Sequence, residues 1–199
     1  MIDDLKSLKT LKAALRREAL ERRAALDPAW RARAAAAIRR RLLDLPELAA
    51  ARNVALFASV GDEINTHPLI AHLIRAKGSI LLPRTLSAER RLEFRRVSDF
   101  RHGFLSAWRG IREPDPAVHT ETVAPEQMDL IIVPGLSFDR RGFRIGYGGG
   151  FYDELLGHPR AGRVIGIVFS PLLRAAPLPT APWDRPVDAI CTDEEFLAL

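Results

Sequence analysis

Two uninterrupted apolar runs constrain this chain most, Leu130-Ile131-Ile132-Val133 and Val164-Ile165-Gly166-Ile167-Val168. A strand with one face in water alternates apolar and polar residues, so strands apolar at every position belong to a sheet covered on both faces. Asn53-Val54-Ala55-Leu56-Phe57-Ala58 reads the same way, Ile80-Leu81-Leu82 is a further strand, and Leu92 to Val97, alternating apolar and charged, reads as a more exposed one. Thr66 with Pro68 announces a helix to about Lys77, and Ala189-Ile190-Cys191-Thr192 is expected to close the sheet. Strands alternating with helices imply a three-layer α/β/α fold with a mostly parallel sheet. The Pro-rich segment 171–186 lies between two strands and reads as an ordered loop.

Two helices precede this pattern. Leu8, Leu11, Leu15 and Ala19 form one apolar stripe within residues 7–24, and Lys9, Lys12 and Arg16 follow the same spacing on an adjacent stripe. Asp27-Pro28 reads as an N-cap and first-turn proline, opening a helix to about Leu43 that buries Trp30, Ala34, Ile38 and Leu42.

Charge is concentrated in the same region. Residues 1–50 hold twelve Lys+Arg against seven acids, and this excess equals the net charge of +5 for the 199-residue chain. A basic segment of this kind can meet nucleic acid, an acidic lipid surface or a small polyanion. The chain has no apolar run long enough for a membrane span, its first residues lack a signal peptide's apolar core, and Cys191 is its one cysteine. A cytoplasmic setting is therefore expected.

The stretch most informative about chemistry runs from Val133-Pro134-Gly135-Leu136-Ser137-Phe138-Asp139 to Arg144-Ile145-Gly146-Tyr147-Gly148-Gly149-Gly150-Phe151-Tyr152-Asp153. It begins at the C-terminal end of a buried strand, where open α/β sheets bind ligands, and ends at a short helix from Phe151 to Leu156. Four glycines in five positions let a phosphate approach backbone N–H groups. It lacks the Gly-Lys-Ser/Thr of a Walker loop and the third glycine of the dinucleotide fingerprint. A ligand-free glycine turn is the plain alternative, but Arg144, Asp153 and the basic stripe weigh against it. A carboxylate beside a phosphate cradle calls for a cation between them, so Asp153 points to Mg2+, with Asp184 as a second oxygen donor.

These residues resemble the signature of the 5-formyltetrahydrofolate cyclo-ligase family, also called methenyltetrahydrofolate synthetases. Supporting blocks are Lys12-Ala13-Ala14-Leu15-Arg16, Asp62-Glu63-Ile64-Asn65-Thr66, Gly110-Ile111-Arg112-Glu113-Pro114, Trp183-Asp184 and Val187-Asp188. The resemblance implies one domain over residues 1–199 and an ATP- and Mg2+-dependent conversion of 5-formyltetrahydrofolate to 5,10-methenyltetrahydrofolate, ADP and phosphate. The formyl oxygen is phosphorylated first and N10 then attacks.

By the same resemblance, Lys12, Arg144 and Tyr152 are catalytic. ATP is held by Lys12, Arg16 and the loop of Arg144, Ile145, Gly146, Tyr147, Gly148, Gly149, Gly150, Phe151 and Tyr152. Asp153 and Asp184 hold Mg2+, and Val60, Asn65, Trp108 and Tyr152 contact the folate. Asn65 stands where the family usually has an acid, which gives a pterin one acceptor fewer. A monomer with no nucleic-acid or membrane partner is expected.

Other residues read plainly. Cys191 is an inert core thiol, Trp30 is structural, Asp139 shapes its turn, and His67 and His72 are surface or capping residues. Trp108 suits stacking on the folate and core packing equally. The remaining N-terminal arginines read as solvated helix surface. A relative acting on another small acceptor, and less so a basic RNA-binding module, stay as alternative functions.

Overall fold

The computed structural model describes residues 2–159 and 162–199. Helices α1 (Ile2–Ala24), α2 (Pro28–Leu43) and α3 (Pro46–Ala50) come first, followed by β1 (Val54–Ala55), α4 (His67–Lys77), β2 (Ile80–Leu86) and β3 (Arg91–Val97). Next are β4 (Phe104–Ser106), β5 (Arg112–Pro114), β6 (Thr122–Val123), β7 (Leu130–Pro134), β8 (Ser137–Asp139) and β9 (Arg144–Ile145). The chain ends with α5 (Phe151–Gly157), β10 (Arg163–Ile167), β11 (Leu173–Arg174), β12 (Ala189–Cys191) and β13 (Phe196–Ala198).

The main sheet has the order β13-β12-β10-β7-β1-β2-β3-β6. Its five middle strands are parallel, while β3, β6 and β13 are antiparallel margins. Leu130 to Val133 are buried at every position, as a strand covered on both faces must be, and α2, α4 and α5 contribute buried residues to the same core. The mixed α/β architecture with a mostly parallel sheet is therefore as the apolar runs imply. Among the described residues, no helix is long and apolar enough to cross a membrane.

Several local expectations change. Residues 189–192 do not close the sheet: the backbone N–H groups of Glu194 and Glu195 donate to Thr192 Oγ1 at 3.1 and 2.8 Å, and this turn lays β13 along β12 as the edge. Pro46 ends α2's run but also opens α3, which buries Leu48. Only Val54 and Ala55 of the 53–58 run form β1. Beyond them the chain is held by Thr66, whose hydroxyl donates to Phe57 O at 2.7 Å and accepts from Ser59 N at 3.0 Å. Thr66 therefore anchors the strand's end, and it is Asn65 Oδ1 that accepts from the first helical N–H, at His67, at 3.1 Å.

The apolar stripe of α1 is also thinner than its spacing implies. Leu11 is 50% exposed, Leu8 and Leu15 are half-buried, and Ala19 is buried. Helix α2 follows its sequence more closely. Asp27 Oδ1 caps Trp30 N at 2.7 Å, and Ala34, Ile38 and Leu42 are buried, while Trp30 is half-buried against Phe169 with ring centroids 5.6 Å apart.

A second sheet, β11-β8-β9, carries the glycine loop. The β8–β9 turn is organised by Asp139, whose buried carboxylate accepts from the backbone N–H groups of Arg141, Phe143 and Leu178 at 3.0, 3.1 and 2.8 Å. Phe138 passes between Gly135 and Gly166, where an added Cβ would lie 2.3 Å from its ring at either position. These glycines make room for an aromatic side chain beneath the loop.

Candidate active site

Helix α1 lies against the glycine loop through its cations. Arg16 Nε donates to Gly146 O at 2.7 Å, and its guanidinium lies 3.1 Å from where a Cβ on Gly148 would stand. Gly148 has φ +103°, a backbone state that side chains rarely adopt, so glycine here answers both a strained turn and a close approach. Lys12 forms an ion pair with Asp184, whose carboxylate also accepts from Ala181 N at 2.6 Å. Lys9 stays exposed.

On the loop's own strand, Arg144 is almost wholly buried and donates to Asp153 at 3.0 Å and to Arg185 O at 3.0 Å. Burial works against its charge, and Asp153 is the chief group sustaining it, with Asp184 also contributing. The Arg185 N–H reaches Asp153 at 3.4 Å, so the residue beside Asp184 touches the other carboxylate. Among the described residues, no three His, Cys, Asp or Glu side chains cluster as a metal cage. Two carboxylates beside a glycine loop are a donor set that fits Mg2+, which keeps water ligands and takes hard oxygen donors.

Tyr152 packs under Arg144, whose guanidinium lies 6.0 Å from the ring centroid. Burial raises the pKa of its hydroxyl and the charge of Glu63 adds to this against the opposing Arg144, so the group stays protonated at neutral pH.

Glu63 itself was not singled out by the sequence. It stands inside the block 62–66, and its carboxylate accepts from Val60 N at 3.0 Å and from the Tyr147 hydroxyl at 3.2 Å. The same hydroxyl accepts from Arg23 Nη2 at 2.7 Å. Burial raises the pKa of Glu63 above its ordinary range, while the Val60 N–H and the cations Arg23 and Arg109 oppose the shift. Its position two residues before Asn65 was the available signal. Arg23 had none, being one arginine among many.

The arginines of the first fifty residues are thus not all solvated surface. Arg23 is only 7% exposed, Arg22 donates to Pro171 O at 2.8 Å, Arg31 pairs with Asp62, and Arg41 donates to Thr192 O at 2.7 Å. Long aliphatic stems let a guanidinium dock on carbonyls in positions that a hydropathy pattern assigns to water.

The β4–β5 hairpin brings Trp108 to the loop. Trp108 is 60% exposed, which excludes core packing, and meets Tyr147 edge-on with centroids 5.7 Å apart. Arg109, with φ +58°, stacks over both rings at 4.6 and 5.3 Å. The structure therefore gathers Lys12, Arg16, Arg144, Tyr152, Asp153 and Asp184 around residues 144–152, with Trp108 joined through Tyr147 and Val60 through Glu63. Asn65 is exposed and engaged in capping α4. His72 is exposed, whereas His67 is half-buried, with a ring nitrogen 3.0 Å from Ser59 O and an edge contact to Phe100.

The chain is similar to known proteins along most of its length. A family model described as the 5-formyltetrahydrofolate cyclo-ligase family matches residues 8–193. The 5-formyltetrahydrofolate cyclo-ligase of Escherichia coli K12 is 29% identical over 176 residues, covering 86% of this chain and 94% of the relative. That of Mycolicibacterium smegmatis is 35% identical over 162 residues, 79% of this chain and 81% of the relative. Among solved structures, the 5,10-methenyltetrahydrofolate synthetase of Aquifex aeolicus superposes with a TM-score of 0.83 at 33% identity, covering 95% of this chain and 93% of that one.

Proposed function

From the premise that this chain belongs to the 5-formyltetrahydrofolate cyclo-ligase family of enzymes, we propose that it closes 5-formyltetrahydrofolate to 5,10-methenyltetrahydrofolate with ATP and Mg2+, releasing ADP and phosphate. The observation that carries this reading is the docking of Arg16 and Lys12 on the glycine loop and on Asp184, which makes a basic wall for a triphosphate.

The formyl group is amide-like, and its oxygen is a poor leaving group. Transfer of the γ-phosphoryl group to that oxygen, with ADP leaving, turns it into a phosphate ester oxygen; N10 then attacks the formyl carbon, loses its proton to solvent, and phosphate departs. Catalysis of such a transfer is mainly positioning and charge neutralisation. The 144–152 loop holds the triphosphate through its backbone N–H groups, while Lys12, Arg16 and Arg144 supply fixed positive charge. Tyr152 offers a proton donor beside the transferring group. Asp153 and Asp184 would hold Mg2+, which neutralises phosphate oxygens when bound. In that state Lys12 turns from Asp184 to the nucleotide.

The folate lies on the other side of Tyr147. Phe57, Pro134, Ile167 and Phe169 line, with Glu63, a cavity of about 20 Å³ at the ends of β1, β7 and β10, room for a water and not for a ring, so the folate lies outside it. Glu63 holds the bend that presents Val60 and Asn65 to the folate, accepting from Val60 N and from the Tyr147 hydroxyl. Val60 and Asn65 flank the same bend, and Trp108 offers a face to the aryl ring. The test is the absorbance of methenyltetrahydrofolate on mixing the protein with 5-formyltetrahydrofolate and Mg-ATP. Absence of turnover by folded protein would exclude this function.

A further inference from the structure

The arginines stacked over aromatic rings differ in one respect. Arg23, Arg112, Arg141, Arg144 and Arg163 each also donate a hydrogen bond to a protein oxygen. Arg109 does not. Its guanidinium carbon lies 4.6 Å from the Trp108 ring centroid and 5.3 Å from that of Tyr147, yet among the described residues it has no hydrogen-bond or ion-pair partner. The residue is exposed and stands at φ +58° in the turn Trp108–Gly110, a left-handed state that costs a residue with a side chain and that the stacking on two rings offsets. Its charge also reaches Glu63, where it favours the carboxylate.

A guanidinium oriented by two rings, with its N–H edge unspent, is a preformed receptor for an anion, and its planar fork matches a carboxylate. Two anions belong to the proposed reaction. The triphosphate is met by Arg16, which docks on Gly146 O, and by Arg144 beside Asp153, whereas Arg109 meets the loop only at the Tyr147 ring. The other anion is the glutamyl tail of the folate, which follows directly on the aryl ring. We propose that Arg109 is a specificity-determining residue that pairs with a carboxylate of this tail, its face remaining on Trp108 and Tyr147. This rests on the folate reading above, in which the aryl ring lies at Trp108, and adds to it a cation for the end of the substrate that takes no part in the chemistry.

The test compares 5-formyltetrahydrofolate with 5-formyltetrahydropteroate, which keeps the pterin and the aryl ring but lacks the glutamate. Binding of each is measured by calorimetry to the full chain, with ADP binding and thermal unfolding as controls. The unsubstituted protein is expected to prefer the glutamyl ligand about fivefold, the scale of one well-aligned charge-assisted pair at an exposed site. Arg109→Asn, which suits a left-handed backbone, is expected to bring that ratio near one and to leave ADP binding unchanged. Should it fail to fold, Arg109→Gly meets the same backbone demand and the same loss of preference is expected. A folded Arg109 variant that still discriminates overturns the proposal, as does an unsubstituted protein that binds both ligands equally. Equal weakening of both ligands overturns it too, since Arg109 would then act by holding Trp108 and Tyr147. Weaker ADP binding with the ratio intact would assign the cation to the phosphates instead. If the unsubstituted protein binds ADP but neither pterin ligand, the folate reading itself fails and takes this inference with it.

Discussion

Lys12 and Asp184, 172 positions apart, form an ion pair in which their side chains are 18% and 13% exposed. The pair joins the first helix to the proline-rich loop across the mouth of the glycine loop, and a triphosphate entering there competes with Asp184 for the ammonium group. Lys12→Met is expected to weaken ATP binding about tenfold or more, the scale of a charge-assisted hydrogen bond, while folate binding is retained. Titration calorimetry with each ligand separately checks this, and unchanged ATP affinity would remove Lys12 from the nucleotide site.

Asp153 has two expected duties, sustaining the buried Arg144 and ligating Mg2+. Asp153→Asn keeps a hydrogen-bond acceptor for Arg144 but loses the charge. The Mg2+ concentration giving half-maximal turnover is expected to rise about tenfold or more, since hard cations prefer carboxylate to amide oxygen. Thermal unfolding shows whether the fold is intact. A normal Mg2+ titration curve in the folded variant contradicts the metal role.

Gly148→Ala combines a backbone penalty at φ +103° with a Cβ placed 3.1 Å from the Arg16 guanidinium. A destabilisation of about 1–3 kcal/mol is expected, together with displacement of Arg16 from Gly146 O and weaker ATP binding. Urea titration and nucleotide binding measure the two effects. If stability and affinity both match those of the unsubstituted protein, neither the strain nor the contact matters.

Glu63 holds its proton more tightly in the folded chain than in the unfolded one, because burial raises its pKa above the ordinary 4.5. The folded state then binds more protons than the unfolded state between 4.5 and the raised value. The contribution of this group to stability is greatest below pH 4.5 and falls as pH rises through that window. Glu63→Gln is expected to remove this fall, raising Tm at neutral pH while weakening folate binding. Melting curves across pH read the first effect and folate titration the second. A variant with both properties unchanged would show that the carboxylate's charge affects neither.

Cys191 lies at 0% exposure, and its thiol ionisation is pushed up to about 12, chiefly by burial. Native protein is expected to resist a thiol reagent at pH 8, with one equivalent reacting after denaturation. Rapid labelling of the native chain would contradict the core assignment.

How far the residues alone could be read depends on the range of the interactions. The parallel core was legible because Leu130–Val133 and Val164–Val168 are apolar at every position, and only a doubly covered sheet buries both faces. The glycine loop could be located because Gly146 and Gly148 to Gly150 fall within five positions. Thr66 and Pro68 were enough to place the start of α4, whereas the partners of the Thr66 hydroxyl, Phe57 and Ser59, lie on the preceding strand's extension and leave no local signal. Asn65 drew attention as the odd residue of its block, while Glu63 carries the hydrogen bonds that face the pocket.

The sequence by itself determined the α/β class, the glycine loop and the family, because periodicity and local spacing record how a segment meets its immediate surroundings. The tertiary structure alone added Arg23 and gave Lys12 and Arg16, already picked out by their stripe and by the resemblance, their partners. Arg23 looks like its neighbours on the same helix, and only packing against Tyr147, more than a hundred residues away, selects it, since a cation's role is set by the acceptors that remain within its reach once water is excluded.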